Sequence, residues 1–567
     1  MIMDYKQEIK ICQNCRGSFT IEPDDFGFYE KIKVPPPVWC PQCRLLRRLN
    51  WYSYRILYKR KCDFTGESII STYHSDLPYK VYKQDIWWSD KWDPKSYGKD
   101  YDFSRPFFEQ FQELMLEVPK ASLHTEYTTM VNSEYCNAAS YLKNCYLCFK
   151  HITGEDSAYT NVSVNAKDSL DLAYSRDPEL CYELVNCHKC FQVFFSEDCE
   201  SCQNVYFCRD LVNCLNCFGC TSLRNKTYCF FNEQLTKDEY EKRLVEMNLG
   251  SAEKIKELRQ EAHKHSLKYP RRAMQGKNNV NVSGDYINNC RNAQHVYFVN
   301  NSEDVKYTQL YINGSTKTSY DFSGFGSTSE LVYEATWTGY DTYNVRFSAW
   351  NYHTQNTEYT FGCHGSSNLF GCAGIRKGEY CILNKQYTKE EYFSMVERIR
   401  KHMDEMPFID RRGLEHRYGG QIPVDICPWA YNESTAIEFF PISKEEAIKK
   451  GFTWRDPDQR EYLPATIVVP DNIKDATEDI LKAVLKCETC GKNYQIIQKE
   501  LSFLKRFNLP IPLDCPLCRD RARIKQLNPM ETHNRKCDKC EKDIETSYSP
   551  DRPEIVYCES CYKQEVY

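Results

Sequence analysis

The sequence predicts a mixed, β-rich fold, with a duplicated β-solenoid-like core, helical spacers and a cysteine-rich module at each end of the chain. Three observations support this prediction. The two ends repeat each other at an offset of 475 residues, the middle repeats itself at an offset of 152 residues, and the repeated middle consists of short strand-like phrases. Because internal repeats constrain the architecture more strongly than local propensity does, they are considered before the individual elements.

Cysteines carry the terminal repeat. Five cysteines near the N-terminus, shifted by 475 positions, each reach another cysteine without a gap: Cys12, Cys15, Cys40, Cys43 and Cys62 match Cys487, Cys490, Cys515, Cys518 and Cys537. The C-terminal copy continues with Cys540, Cys558 and Cys561, where the N-terminal copy has Thr65, Lys83 and Ile86. We therefore expect two modules in tandem at each end, of which the second N-terminal one is degenerate.

The repeat in the middle has the texture of short strands. NCFGCTSLRNKTYCFFNEQLTKDEY, starting at Asn216, matches NLFGCAGIRKGEYCILNKQYTKEEY, starting at Asn368. Upstream phrases such as LKNCYLCF and LVNCLNCF alternate aromatic and aliphatic residues with Asn, Ser, Thr and Cys. Repeated short strands of this kind are typical of a β-solenoid, whose coils stack like side chains on one another. The pattern does not fix the coil length, and a twisted antiparallel sandwich is the alternative.

Helices are predicted between these repeats. The expected helices cover Phe107 to Glu117, Thr236 to about Lys268 with a break near Gly250, Thr388 to about Met403, Ser443 to Lys450, and Asp475 to Lys486. Thr236, Thr388 and Ser443 are each followed three residues later by a glutamate. This spacing is the signature of a capping box, in which the two side chains satisfy backbone N–H groups at a helix start.

The terminal cysteines have the spacing of zinc sites. Zinc in structural sites is bound by four ligands in a tetrahedron, and two CxxC turns supply four thiolates. Three such sets are present: Cys12, Cys15, Cys40 and Cys43; Cys487, Cys490, Cys515 and Cys518; Cys537, Cys540, Cys558 and Cys561. We therefore expect three zinc ions per chain.

The same segments resemble a known family. CQNCRGSFTIEPDDFGFYEKIKVPPPVWCPQCRLLRR, from Cys12, is similar to the zinc-ribbon family, which has CxxC, an aromatic residue, an FY pair, prolines and a closing CPxCR. The C-terminal copy keeps the cysteines, Pro516 and Arg519 but has Phe503 and Leu504 for the FY pair. The resemblance implies zinc ribbons at both ends. The whole chain also resembles uncharacterised cysteine-rich proteins of candidate-phyla bacteria, often labelled CoA-transferase-like, a label that nothing in this sequence supports.

These observations predict seven segments. They are a zinc ribbon with a degenerate second ribbon (1–90), an aromatic and helical linker (91–132), the first solenoid-like copy (133–235), a helical spacer (236–284), the second copy (285–387), a helical and loop connector (388–484) and tandem zinc ribbons (485–567).

The cysteines of the middle allow two interpretations. Cys214, Cys217 and Cys220 form CxxCxxC, which is compatible with an iron–sulfur cluster. At the repeat offset, however, Cys214 and Cys217 become Ser366 and Leu369, and only Cys220 and Cys229 keep cysteine partners. A packing position accepts such exchanges among small residues, because a free cysteine behaves as a small buried hydrophobe. We favour a ladder of buried thiols and keep an iron–sulfur cluster as the alternative.

A basic stretch follows the first module. Cys43 to Cys62 contains no acidic residue and interleaves cations with Trp51 and three tyrosines. Cations can neutralise phosphates and aromatic rings can stack on bases, so we expect contact with RNA or DNA. The candidate residues are Arg44, Arg47, Arg48, Arg55, Lys59 and Arg60 in the first copy and Arg519, Arg521 and Arg523 in the C-terminal copy. The alternative is a helix that packs on its ribbon.

The remaining signals limit the function. The net charge of the 567-residue chain is −5, which does not indicate a strongly basic or acidic surface. The stretch MIMDYKQEIK lacks the apolar core of a secretory signal, and no long apolar run that could span a membrane is present. We therefore expect a reducing cytoplasm, in which the 31 cysteines are metal ligands or buried thiols. No nucleotide-binding or metalloprotease motif is found. Cys363 and His364 could be considered as a nucleophile and its base, but adjacent residues on a strand face opposite sides, so they are poorly placed for this role. The sequence thus predicts a zinc-binding scaffold or adaptor that contacts nucleic acid. A protein–protein assembly factor with aromatic solenoid faces is second, and an enzyme of unknown class is third.

Overall fold

The computed structural model describes residues 5–310, 314–458 and 461–567, so residues 1–4 of the stretch MIMDYKQEIK lie outside the described residues. The chain divides into two compact units, each made of two separate segments. Unit 1 contains Met1–Leu123 and Met274–Asp456, and unit 2 contains His124–Ala273 and Pro457–Tyr567. Each unit therefore combines a terminal module with the solenoid from the other half of the chain. The seven segment boundaries given above stay a prediction.

The N-terminal segment begins with two hairpin modules. Strands β1 and β2 pair antiparallel, and so do β3 and β4. Helix α4 has the bounds that the sequence predicted, and its apolar face is buried. The elements are β1 (Glu8–Ile11), β2 (Ser18–Ile21), α1 (Pro23–Lys31), α2 (Pro41–Asn50), β3 (Tyr58–Lys61), β4 (Ser68–Ser71), β5 (Val81–Tyr82), α3 (Gln84–Trp87), α4 (Phe107–Glu117) and β6 (Lys120–Ala121).

The next segment is a β-solenoid, called solenoid 1. Its eleven strands form one sheet in sequence order, and all neighbours pair parallel except the last two. Paired residues are twelve positions apart, as for Tyr182 and Phe194, which sets the coil length at twelve residues. The strands are β7 (Met130–Val131), β8 (Ser140–Lys143), β9 (Phe149–Glu155), β10 (Asn161–Lys167), β11 (Leu170–Arg176), β12 (Tyr182–Val185), β13 (Phe191–Glu197), β14 (Gln203–Tyr206), β15 (Leu215–Phe218), β16 (Thr227–Phe230) and β17 (Glu233–Gln234).

A period of three residues underlies each coil of solenoid 1. Every third residue from Ala138 to Phe231 has a positive φ and forms a corner of the coil. From Ala139 to Cys220, the residue after each corner is buried, so four inward side chains line each twelve-residue coil. Left-handed backbone is costly for residues other than glycine, and the parallel backbone hydrogen bonds between coils offset this cost. The N–H of corner residue Asn186, for example, donates to the carbonyl of Ala173 one coil earlier at 2.9 Å.

Two helices and a short strand follow solenoid 1. They are α5 (Lys237–Glu246), α6 (Ala252–Ser266) and β18 (Arg271–Arg272), and the interruption falls at Gly250 as the sequence predicted. Thr236 and Glu239 form the predicted capping box at the start of α5. Helix α5 packs on the last coil, where Tyr240 joins Phe218 and Phe230 in an aromatic cluster.

Solenoid 2 has the same architecture and belongs to unit 1. Its eleven strands are again parallel except for the final hairpin, with a twelve-residue step at the C-terminal end and longer steps between β22 and β25. The elements are β19 (Gly276–Lys277), β20 (Val280–Asn288), β21 (Arg291–Asn300), β22 (Glu303–Lys306), β23 (Thr316–Ser323), β24 (Ser329–Thr336), β25 (Thr342–Arg346), β26 (Tyr352–Glu358), β27 (His364–Phe370), β28 (Glu379–Ile382), β29 (Lys385–Gln386), α7 (Lys389–Glu405), β30 (Phe408–Ile409), β31 (Glu415–His416), α8 (Ala436–Phe439) and α9 (Lys444–Lys449). Capping boxes begin α7 and α9.

The C-terminal segment contains two further hairpin modules. The predicted helix from Asp475 to Lys486 is wrong. This part of the chain contains two 3₁₀ turns, Ile473–Asp475 and Glu478–Leu481, because Ile480 and Ala483 pack into the core of the first C-terminal module. The elements are β32 (Leu485–Lys486), β33 (Asn493–Tyr494), α10 (Gln498–Arg506), α11 (Pro516–Ile524), β34 (His533–Lys536), β35 (Asp543–Thr546), β36 (Val556–Tyr557) and α12 (Glu559–Val566).

The architecture confirms the predicted fold class. The two parallel eleven-stranded sheets are β-solenoids and exclude the antiparallel sandwich, and cysteine-rich modules are present near both ends. In the part of the chain that the structure describes, no helix combines the length and the apolar character needed to cross a bilayer.

Candidate metal centres

Three sets of four cysteines converge in the structure. In each set the four sulfur atoms lie within 4.8 Å of one another, close enough to bind a single metal ion. The sets are Cys12, Cys15, Cys40 and Cys43; Cys487, Cys490, Cys515 and Cys518; Cys537, Cys540, Cys558 and Cys561. These are the sets that the sequence predicted, and no disulfide links any cysteine of the described residues.

Each set is built from a hairpin turn and a helix start. The first two cysteines lie in the turn of a hairpin, and the third precedes α2, α11 or α12 as its N-cap residue. The fourth cysteine lies in the first turn of the same helix. A proline follows Cys40 and Cys515, where its missing N–H and fixed φ suit the first helical position. The CPxCR pattern therefore encodes a helix start that presents two thiols.

The backbone favours thiolates at all three sites. The N–H of Cys40 donates to the sulfur of Cys12 at 3.2 Å, and the same bond joins Cys515 to Cys487 and Cys558 to Cys537. Backbone donors of this kind stabilise anionic sulfur and fix its orientation toward a metal. Burial raises the pKa of the Cys558 thiol, but hydrogen bonds with Ser560 and the backbone of Cys561 outweigh burial and lower this pKa to about 6.

The degenerate N-terminal module keeps the fold without the ligand set. Strands β3 and β4 pair in the register of β34 and β35, and the N–H of Lys83 donates to the sulfur of Cys62 at 3.2 Å. Ile86 and Trp87 are buried, and the Trp87 indole donates to the carbonyl of Pro119 at 2.9 Å. Trp88, which follows them, remains 39% exposed. Apolar packing thus occupies the place that metal ligands hold in the C-terminal copy.

In unit 1, helix α2 fastens its module to solenoid 2 through buried ion pairs. Arg44 and Arg48 contact the two oxygens of Asp321 at 2.8 and 2.7 Å, and all three side chains are almost fully buried. Arg47 contacts Glu334 at 2.8 Å and lies over the ring of Trp39. Both carboxylates stand at solenoid corners with positive φ.

Unit 2 contains the corresponding interface between α11 and solenoid 1. Arg519 and Arg523 contact the two oxygens of buried Asp171 at 3.3 and 2.7 Å. Asp171 is also a corner residue. Arg519 lies over the Tyr159 ring and Arg44 over the Tyr307 ring, again at corresponding corners. In both units the helix that supplies two metal ligands also supplies the guanidinium groups that hold the solenoid.

These contacts correct the predicted nucleic-acid surface. Five of the nine candidates, Arg44, Arg47, Arg48, Arg519 and Arg523, are buried and paired with carboxylates, so phosphates cannot reach them in this structure.

Two further candidates are also engaged within unit 1. Arg55 contacts Glu438 at 2.7 Å, and Arg60 is buried against Asp63 and the carbonyls of His74 and Tyr79. Lys59 and Arg521 are exposed. The uninterrupted basic run between Cys43 and Cys62 therefore reflects internal pairing more than an open basic surface.

The cysteines of solenoid 1 point inward. Each sulfur donates to backbone carbonyls of its own coil or the next, as Cys187 does to Val185 and Ser196 at 3.4 and 3.5 Å. Among the described residues, the three terminal sets are the groups of three or more Cys, His, Asp or Glu side chains close enough to hold one ion. Cys363 in solenoid 2 likewise points inward, whereas the ring of His364 stacks on Tyr352.

The partners of the arginines were missed from the sequence. Asp171, Asp321 and Glu334 are ordinary acidic residues within polar phrases, and nothing local marks them as buried. The favoured ladder of buried thiols is confirmed, since every cysteine from Cys136 to Cys229 is buried. The three-residue period of these cysteines was missed, although a signal existed: they are all separated by multiples of three.

Comparisons with known proteins assign no family. No protein-family profile matches the chain, and no curated protein matches it. One crystal structure, described provisionally as that of an acetyltransferase from Desulfovibrio desulfuricans G20, aligns with 50% of this chain and 78% of its own. The sequence identity over this alignment is 10%, and the TM-score is 0.11. Similarity at that level carries no argument about fold or activity.

Proposed function

We propose that this protein is a zinc-binding scaffold in which three structural zinc ions hold ribbon modules in the shape that docks on the β-solenoids. The observation that carries this proposal is the convergence of three complete four-cysteine sets on hairpin turns and helix starts. Four thiolates form the closed ligand set of structural zinc, which leaves no position open for a substrate. Metal binding and folding are coupled in such modules, because the site does not exist in the unfolded chain.

The metal would act on the solenoid interface through α2 and α11. Each of these helices carries two ligands at its start and the buried arginines one and two turns later. An ion bound at the helix start therefore fixes the position from which the guanidinium groups reach Asp321 or Asp171. The scaffold function thus links metal occupancy to the integrity of each unit.

Elemental analysis of two matched variants tests the zinc assignment. Native protein should contain three zinc ions per chain and no stoichiometric iron. Cys62→Ser should leave the count at three, because Thr65, Lys83 and Ile86 cannot replace thiolates, whereas Cys537→Ser should reduce it to two. Three iron ions in place of zinc would contradict the assignment, and a fourth zinc lost with Cys62→Ser would show that the N-terminal module recruits ligands from elsewhere.

We retain contact with RNA or DNA as the function of the scaffold, on a smaller surface than the sequence suggested. Arg521 on α11 and Lys525 at its C-cap are exposed one turn apart, on the face opposite the buried Arg519 and Arg523. Two cations at this spacing can each neutralise one backbone phosphate. Exposed Lys59 is the remaining candidate in the N-terminal copy.

Salt-dependent binding of single-stranded RNA and DNA tests this contact. Replacement of Arg521 and Lys525 by alanine should weaken binding to every sequence and reduce the magnitude of the salt slope by about two. Lys401→Ala on α7 is the control, since its side chain is 78% exposed and distant in sequence from the cysteine sets. Failure of the native protein to bind at about 50 mM salt, where phosphate contacts are strongest, would exclude the contact.

A protein–protein assembly role is the second candidate, favoured by an aromatic corner region on solenoid 2. Tyr340 and Tyr343 are 38% and 44% exposed, and the ring of His353 stacks on Tyr340 at 5.6 Å. Aromatic residues are enriched in protein interfaces. A partner retained after nuclease treatment at high salt, and lost from Tyr340→Ser with Tyr343→Ser but not from Tyr141→Ser, would favour this role over nucleic-acid binding.

A further inference from the structure

The interior of solenoid 1 contains a continuous run of thiols. Each of the nine cysteines from Cys187 to Cys229 is buried inside the coil and has another of them three residues away in its own coil or twelve residues away in a neighbouring coil, where inward residues stack, as Cys217 does on Cys229. Cys202, for example, lies three residues from Cys199 in its own coil and twelve residues from Cys214 in the next, and all three belong to one buried cluster. The sulfurs thus form an unbroken path through several coils, inside one apolar cluster.

Packing alone does not require these thiols. At the corresponding positions in solenoid 2, Thr354 replaces Cys202, Ser366 replaces Cys214 and Leu369 replaces Cys217, with the same strand pairing and comparable burial. The hydroxyl of Ser366 donates to the carbonyl two residues earlier, as the thiol of Cys214 does. Serine therefore satisfies both the space and the carbonyl acceptor in the same fold, and Thr354 and Leu369 fill the space.

The arrangement of the sulfur atoms in this run suits metal ions that are bound by two sulfurs. Among the described residues no three of these sulfurs lie mutually within 4.8 Å, so the contacts are pairwise along a path. A tetrahedral zinc or iron site needs four converging sulfurs and does not fit. Monovalent copper and silver ions are soft, prefer thiolates and accept two sulfurs in a line.

We propose that the thiol run of solenoid 1 binds monovalent soft metal ions of the copper(I) and silver(I) class, each between two neighbouring cysteine sulfurs. Each ion enters as a +1 charge, and each participating thiol releases one proton to solvent and becomes a bridging thiolate. Where ions and bridging thiolates alternate one to one, the run carries no net charge, which avoids the cost of burying an unpaired ion. No electron is transferred.

The protonation states are consistent with this exchange. Burial, and then the hydrogen bond with Cys190, hold the pKa of Cys187 well above its usual range, so this thiol carries a proton that it can release when an ion binds. Hydrogen bonds with Cys202 and Cys217 lower the pKa of Cys214, which makes this thiol the first to deprotonate. Cys229 lies at the C-terminal end of the run and donates to the side chain of exposed Gln234 on β17.

Silver titration of the reduced, zinc-loaded full-length protein tests the proposal, with bound silver and released zinc counted together by elemental analysis. Native protein should bind more silver than displaced zinc accounts for. Cys214→Ser and Cys202→Thr should each bind at least one silver ion fewer, and both should fold, because solenoid 2 carries serine and threonine at these places. Cys290→Ser, at a thiol in solenoid 2 with no sulfur partner, is the matched control and should bind as the native protein does.

Three results would overturn the proposal. Silver uptake fully explained by zinc displacement would show that the interior binds nothing. Equal silver counts in the native protein, Cys214→Ser and Cys202→Thr would do the same. An equal loss in Cys290→Ser would show that the loss does not depend on the run. Unchanged far-ultraviolet circular dichroism and zinc content in each variant establish that the fold is intact.

Discussion

Replacing Asp321 by asparagine should release the N-terminal ribbon from solenoid 2. The substitution preserves the shape of the side chain but removes the charge that Arg44 and Arg48 share at 2.8 and 2.7 Å. Each pair at this distance is worth about 6 kcal/mol of Coulomb energy at an effective dielectric constant of about 20. Most of that energy offsets the desolvation of the ions, but removal of one partner leaves the remaining charges buried and typically costs about 3–5 kcal/mol.

Hydrogen exchange of the α2 amides measures this loss directly. Because the chain contains two units, local opening is a better-defined quantity than a single global unfolding free energy. A loss of about 3–5 kcal/mol should accelerate exchange in α2 by roughly two to four powers of ten. Asp171→Asn should have the same effect on α11, through Arg519 and Arg523, and should leave α2 unchanged.

An exposed corner of the same solenoid provides the control. Asp304 has a positive φ like Asp321, but it is exposed and its carboxylate accepts a hydrogen bond from Asn292. Asp304→Asn should change α2 protection by no more than about 0.5 kcal/mol. If Asp321→Asn altered exchange less than tenfold, the buried ion pairs would not be what holds the ribbon, and the coupling of metal site and solenoid through α2 would be refuted.

Three further outcomes can be measured. Burial lowers the pKa of Lys120 to about 7, so between about pH 7 and 10.4 the Lys120 amine is protonated in the unfolded chain and neutral in the folded one. The free energy of unfolding should therefore rise with pH across that window, by up to about 1.4 kcal/mol per pH unit relative to Lys120→Met. Urea denaturation at a series of pH values measures this difference. Thr388→Ala removes the cap of α7 and should cost about 1 kcal/mol of helix stability by exchange at its first turn, and an unchanged rate would contradict the capping role. Chelation of zinc should abolish exchange protection in β34 and β35 while β3 and β4, which hold no ligand set, stay protected; equal loss in both hairpins would argue against apolar replacement of the metal.

The convergence of the three four-cysteine sets could be predicted from the sequence because its determinants are local. A CxxC turn and a CPxC helix start each occupy four residues, so spacing alone identifies the ligands. Capping boxes and the break at Gly250 are local for the same reason. The helix prediction from Asp475 to Lys486 was wrong because Ile480 and Ala483 are positioned by a core that forms with residues distant in the sequence. Tertiary packing overrides helix propensity in such a case.

The partners of the basic stretch between Cys43 and Cys62 could not be predicted, because they are distant in the sequence. A run of arginines without acids has the same appearance whether it faces solvent or a distant carboxylate. Arg48 and Asp321 are 273 residues apart, and no local pattern records that they meet. The coil length could have been found, since a spacing of three between inward cysteines implies four-sided coils of twelve residues, but it requires testing a period that belongs to neither helix nor ordinary strand.

The exchange of terminal modules between the two solenoids has a consequence during synthesis of the chain. Helix α2 leaves the ribosome long before Asp321 is made, and at about 5–20 residues per second that interval is roughly 14–55 seconds. Solenoid 1 is complete earlier than solenoid 2, yet its own module, which contains α11, is synthesised only after solenoid 2. Unit 1 can therefore close before unit 2, although its first residues are the oldest. During that wait, the arginines of α2 and the apolar face of α4 are without their partners in solenoid 2, and an ion bound by the first four cysteines would order the ribbon before they arrive.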